Sequence, residues 1–214
     1  RDGVQVPSQI VSIDGTSVKF LAVVSAPSCG YAVYDVRDEV SALTSDLQVS
    51  SNRLENDIYK VVLNKNGDIS SIVDKRDGRE IVDSGKSIRL AVFSDNPSTD
   101  WPAWEIKKSV IDGSPTSITE DVNISIVENG PVRVSLCVER KYGESVVKQY
   151  IRLTDKGQND RIDIYNELDW KTKNILLKAE FPLTVANPKA TYDLGLGAVQ
   201  RGNNTTTAYE VCGQ

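Results

Sequence analysis

Between residues 123 and 168 the chain repeats one figure, a run of alternating apolar and polar residues followed by a glycine. NISIVEN (123–129) ends at Gly130, VRVSLCVERKY (132–142) at Gly143 and SVVKQYIRLTD (145–155) near Gly157, and RIDIYNEL (161–168) follows. A period of two sends successive side chains to opposite faces, the property of an extended strand with one face buried. In VRVSLCVER, Val132, Val134, Leu136 and Val138 share one face, while Arg133, Ser135, Cys137 and Glu139 share the other. In RIDIYNEL, Ile162, Ile164, Asn166 and Leu168 alternate with Arg161, Asp163, Tyr165 and Glu167. The aliphatic faces are expected inward, on antiparallel neighbours joined by short turns.

The first half reads the same way. VKFLAVVSA (18–26) runs through PSCG into YAVYDV (31–36), and DIYKVVLN (57–64) is followed by DISSIVD (68–74). Asn66-Gly67 and Asp77-Gly78 supply the positive φ values that tight hairpins require. No stretch of a dozen residues carries a helical apolar period, so long helices are not expected. The predicted class is therefore all-β, a small β module followed by a large antiparallel β-sandwich. The polar stretch EVSALTSDLQVSSN (39–52) is read as the connector, with a small β domain over 1–45 and the large sandwich domain over 46–214. One continuous sheet system is the alternative. A module of about 40 residues has too little core to stand alone and should lean on a neighbour.

Composition narrows function mainly by exclusion. With 39% hydrophobic and 26% charged residues the chain is an ordinary globular one. A formal charge of −5 argues against nucleic acid as partner. No run reaches the roughly 18 consecutive apolar residues of a membrane-spanning helix. The chain opens on Arg1 and contains no methionine, so its beginning is expected to lie upstream, and the missing signal peptide does not fix the compartment; cytoplasmic is preferred. Cys29, Cys137 and Cys212 form no CxxC pair and are read as reduced thiols. The chain has no histidine, which rules out a Ser–His–Asp triad or a His-containing metal site within it.

WPAWEI (101–106) concentrates two of the three tryptophans beside a carboxylate. Asp95, Asp100 and Glu105 flank the indoles, in a combination suited to sugar hydroxyls and sugar faces, although loop capping and plain packing are simpler explanations. In an extended segment an odd separation points two residues to opposite faces. Trp101 is accordingly read as a core anchor and Trp104 as the residue aimed into a cleft. Arg201, in GLGAVQRGNNTTTAYE (195–210), is a donor for a glycan or an acidic partner if it faces a cavity. The same stretch lacks a dinucleotide fingerprint. Sequons begin at Asn123, Asn203 and Asn204 and matter only on a glycosylating route.

Four blocks, in this order, resemble a known family: RLENDIYKVVLNKNGDISSIVDKRDGREIV (53–82), DNPSTDWPAWEI (95–106), NDRIDIYNELDWKTKNILLKAEFPL (159–183) and YDLGLGAVQRGNNTTTAYEV (192–211). Together they look like the C-terminal β-domain region of a glycoside hydrolase family 38 alpha-mannosidase, over essentially residues 1 to 211. The resemblance implies a parent enzyme that removes alpha-linked mannose with retention. Such an enzyme uses an aspartate nucleophile, a carboxylic general acid and a divalent metal, usually zinc, all in an N-terminal catalytic barrel that these residues do not include. It implies no catalytic residue, no metal ligand and no cofactor in this fragment, which by itself would be inactive. The implied substrate-binding positions are Trp104, Asp100, Glu105 and Arg201, and the implied partners are the barrel and a mannose-containing glycan. The family continues beyond YEV where this chain turns to CGQ. The sandwich is therefore expected to be incomplete, with an exposed edge that favours a homo-oligomer. Two other readings remain open: an independent carbohydrate-binding β module and a structural protein-interaction domain.

Overall fold

The computed structural model describes residues 3–39, 43–93, 97–155 and 160–203. It forms two compact units, Arg1–Pro182 and Leu183–Gln214. Cys212 and the sequon at Asn204 fall outside the described residues, as does Asp95.

In the first unit, β1 (Ser8–Asp14) and β2 (Ser17–Ala22) make an antiparallel hairpin. A five-stranded antiparallel sheet follows: β3 (Gln48–Ser50), β4 (Arg53–Glu55), β5 (Tyr59–Leu63), β6 (Ile69–Asp74) and β7 (Arg79–Glu80). The chain then passes through β8 (Arg89–Phe93), one short helix α1 (Lys108–Ile111) and β9 (Thr116–Ser117). The long strands β10 (Glu120–Asn129), β11 (Arg133–Tyr142), β12 (Ser145–Thr154) and β13 (Asp163–Asp169) form a four-stranded antiparallel sheet in that order. Finally β14 (Leu176–Glu180) returns to pair with β8, giving a three-stranded sheet β14-β8-β9. The second unit contains the hairpin β15 (Lys189–Asp193) and β16 (Ala198–Gly202).

The fold is all-β. Its main core lies between the five-stranded and four-stranded sheets and joins Leu54, Val61, Leu63, Ile69 and Ile72 to Val134, Leu136, Val138, Ile151 and Leu153. Each of these aliphatic side chains, if fully removed from water, contributes about 1.5–3 kcal/mol. β11 and β12 pair without interruption from Arg133↔Thr154 to Tyr142↔Ser145, so the alternating pattern delivers one aliphatic stripe from each. The inward face is the one the alternation indicated. The opposite face is less open than the pattern suggests, since Ser135 and Cys137 are buried as well. Their cross-strand neighbours Arg152 and Tyr150 explain this. The Arg152 guanidinium lies 5.2 Å and 5.4 Å from the Tyr150 and Tyr165 ring centroids, a roof over the small residues beneath.

Two polar devices tie the sheets together. Asn56 is buried; its amide donates to the Thr154 carbonyl at 3.0 Å, and its Oδ1 accepts from the Ile58 and Tyr59 amides. Arg140, on the inner face of β11, pairs with Asp68 at 2.6 Å. Asn66-Gly67 forms the β5–β6 turn as expected. Gly67 has φ of +77°, and a Cβ there would collide with Val138, so only glycine fits.

The β1–β2 hairpin meets the four-stranded sheet through Gln9, whose Oε1 accepts from the amides of Val132 at 3.2 Å and Arg133 at 2.9 Å. Gly130 leaves the space that the Gln9 side chain fills. YAVYDV, expected as a strand, has no regular structure. The Tyr34 hydroxyl instead bonds both the Ser25 amide (2.8 Å) and the Ser25 carbonyl (2.7 Å), groups that a pairing strand would need.

Candidate functional site

β8 is the central strand of the three-stranded sheet, and the segment after it carries the WPAW motif. Ala91 and Phe93 of β8 pack with Leu176 of β14 against Val110 and Ile106. Those two residues pin the far end of the loop, because Val110 is the buried residue of α1 and Ile106 just precedes the helix. Between the two anchors the chain folds back on itself. The Trp101 carbonyl accepts from the amides of Trp104 at 3.0 Å and Glu105 at 2.7 Å. At the loop's base, the hydroxyl of buried Ser98 donates to Glu105 Oε2 at 2.9 Å. Glu105 Oε1 meets Lys107 Nζ at 2.7 Å.

This turn decides where the indoles go. Trp101 is 70% exposed and Trp104 83% exposed. The expected inward anchor is therefore on the surface with its neighbour. Parity assigns opposite faces only to an extended segment, and residues 101–104 are not extended. The anchoring expected of Trp101 falls to Ile106 and Val110. Near-complete exposure of Trp104 also removes core packing as its explanation.

The electrostatics of the loop favour acceptance over proton donation. The Lys107 ammonium, with the Ser98 hydroxyl second, holds the Glu105 carboxyl below the usual carboxylate range. A group kept ionised in this way can accept hydrogen bonds from sugar hydroxyls but is a poor general acid. Asp100 is exposed. Asp100, Trp104 and Glu105 all lie on this loop. Arg201 is half-buried on β16, opposite Ala190, in the second unit.

Among the described residues no group of three or more His, Cys, Asp or Glu side chains could hold a metal ion. No helix among them is long and apolar enough to cross a membrane.

A second aromatic pair lies against the same sheet. There Tyr142 and Trp170, the third tryptophan, lie with ring centroids 5.8 Å apart and planes within 5°, beside a cavity of about 470 Å3. The only available signal was Trp170 itself, just past the end of β13.

Compared with known proteins, residues 54–214 match the family model described as the glycosyl hydrolases family 38 C-terminal domain. The chain is 24% identical over 197 residues to alpha-mannosidase 2C1 of Mus musculus, a match covering 89% of this chain and 19% of that protein. The Homo sapiens protein of the same name gives the same identity and coverage. Alpha-mannosidase G of Dictyostelium discoideum is 26% identical over 167 residues, covering 73% of this chain and 15% of that protein. The chain spans less than a fifth, 15–19%, of the length of these curated relatives.

Proposed function

Since the chain belongs to the glycosyl hydrolases family 38 C-terminal domain family, we propose that it is the noncatalytic β portion of a retaining alpha-mannosidase. It braces a catalytic barrel supplied by the rest of the parent chain and lends the Trp101–Glu105 loop to the wall of the sugar cleft. The observation that carries this reading is Trp104, 83% exposed on a loop held in place by its own hydrogen bonds and by Ile106 and Val110. An exposed indole costs the isolated fold an unburied apolar surface, and a sugar face repays it by stacking. Asp100 and ionised Glu105 provide the acceptors beside it. Arg201 is a second cleft-facing donor in the parent enzyme.

In this division of labour the nucleophile, the general acid and the divalent metal, zinc, belong to the barrel. The β portion shapes and polarises the site. The substrate is a glycan ending in alpha-linked mannose.

The test is hydrolysis of an aryl alpha-mannoside. The full-length protein encoded around this chain should release the aryl group in a chelator-sensitive reaction, and the rigorously purified 214-residue chain should not. Turnover by the chain alone would overturn the proposal. So would a full-length protein in which no aspartate-bearing barrel precedes residue 1.

A further inference from the structure

The structure carries a second candidate site at the end of the β14-β8-β9 sheet. The cavity there, about 470 Å3, is lined by four separate stretches of chain: Val92 and Phe93 at the end of β8, Ser114 and Thr116 at β9, Tyr142 at the end of β11, and Lys173–Ile175 leading into β14. Its volume lies within the roughly 300–1,000 Å3 typical of small-molecule sites. The lining divides by chemistry. Val92 and Phe93 are buried, and Tyr142 and Ile175 half-buried, giving an apolar floor with Trp170 stacked behind Tyr142. Ser114, Thr116, Lys173 and Asn174 are exposed at the rim.

The rim groups are unengaged. Among the described residues none of these four side chains makes a hydrogen bond or ion pair. Neighbouring cations are occupied: Arg89 holds Glu180 at 2.9 Å, Lys171 holds Asp169 at 3.1 Å, and Lys178 sits over the Phe93 ring at 5.4 Å. Among the described residues Lys173 is the one charged side chain in the lining. Asn174 sits in the left-handed region, φ +60°, in the connection that presents both it and Lys173 at the cavity.

We propose that this cavity binds a single sugar ring bearing one anionic substituent, a carboxylate or a phosphate. The apolar floor suits the C–H face of a pyranose, two hydroxyls and a carboxamide suit its hydroxyl groups, and the lysine supplies a point charge for the anion. The described lining residues include no acidic ligand for a divalent cation. A nucleotide pyrophosphate would need a denser array of donors than one ammonium. Binding at this cavity needs no activity in the parent.

The test is titration of the 15N-labelled chain with glucuronate, mannose 6-phosphate, neutral mannose and inorganic phosphate. Saturable shifts of the Thr116, Lys173 and Asn174 amides are expected with an acidic sugar, and the tighter of the two identifies the anion. Mannose should bind about tenfold more weakly, the loss expected for one charge-assisted contact. Lys173→Met, at an exposed position, should abolish that preference. Asn174→Gly keeps the left-handed backbone while removing the carboxamide, and should weaken all three sugars. Trp104→Ala should leave every titration unchanged, which separates this site from the proposed cleft wall. Several results would overturn the assignment: no saturation by either acidic sugar, shifts confined to the Trp101–Glu105 loop, equal binding by Lys173→Met, or inorganic phosphate binding as tightly as the sugar phosphate.

Discussion

The interior of the sandwich holds an arginine, and its surface holds two tryptophans, the reverse of the usual partition. Arg140 is fully buried, yet its guanidinium donates to Asp68 at 2.6 Å, to the Gly67 carbonyl at 3.3 Å and to the Gln149 side chain. Trp101 and Trp104 stand in water, with a turn beneath them that the protein has gone to some length to fix. Inside, both terminal nitrogens of the guanidinium are answered by polar partners and only its Nε is left without one. Outside, apolar surface is answered by nothing in the same loop. Under the proposed function, that surface is kept for what the loop meets in the parent enzyme.

That contrast breaks most visibly at the buried pair. Asp68→Ala leaves a guanidinium in the core and should cost about 3–5 kcal/mol, measured by urea unfolding. Replacing both partners, Asp68→Leu with Arg140→Met, should recover most of it. A loss below about 1 kcal/mol for the single change would mean the pair holds nothing together. Next comes Gly67→Ala, which places a Cβ against Val138 at a φ of +77°. Strain and overpacking together predict about 2–3 kcal/mol in the same assay.

A smaller effect is expected from pH. Arg76 grips Asp74 through two bonds, Nε to Oδ1 at 2.9 Å and Nη2 to Oδ2 at 2.7 Å. This hydrogen-bonded guanidinium lowers the Asp74 pKa from 3.8 to about 2. A depressed carboxylate stabilises the fold fully above its ordinary value, and that stability is lost as pH falls toward the folded value. The Tm gap between the protein and Asp74→Asn should therefore narrow on acidification between those two values; a constant gap would contradict the assignment. Smallest of all, Trp101→Ala and Trp104→Ala should each shift unfolding free energy by no more than about 0.5 kcal/mol. A larger loss would make the indoles part of the fold and dissolve the comparison.

How far these features could be read from the sequence depended on their range. The faces of β11 and the Asn66-Gly67 turn are local, and alternation and glycine placement disclose them. Arg140 follows the same parity as Val134, Leu136 and Val138, so its inward direction was available. Its partner Asp68 lies 72 residues away and left no local trace. YAVYDV has a strand's composition, but the Tyr34 hydroxyl occupies the backbone groups that pairing requires. Parity does not place Trp101, because it holds only for extended backbone and residues 101–104 form a turn. The 470 Å3 cavity draws on stretches from residue 92 to residue 175, and no window of sequence contains it. Arg201 remains a proposal of a different kind, since it belongs to the second unit.

The most direct measurement is kcat/KM for an aryl alpha-mannoside, taken with Tm, in the full-length protein carrying Trp104→Ala. If the loop is a cleft wall, kcat/KM falls about tenfold, the loss of roughly 1.4 kcal/mol of transition-state contact, while Tm holds. Unchanged kcat/KM, or a loss that only tracks a falling Tm, would contradict the account.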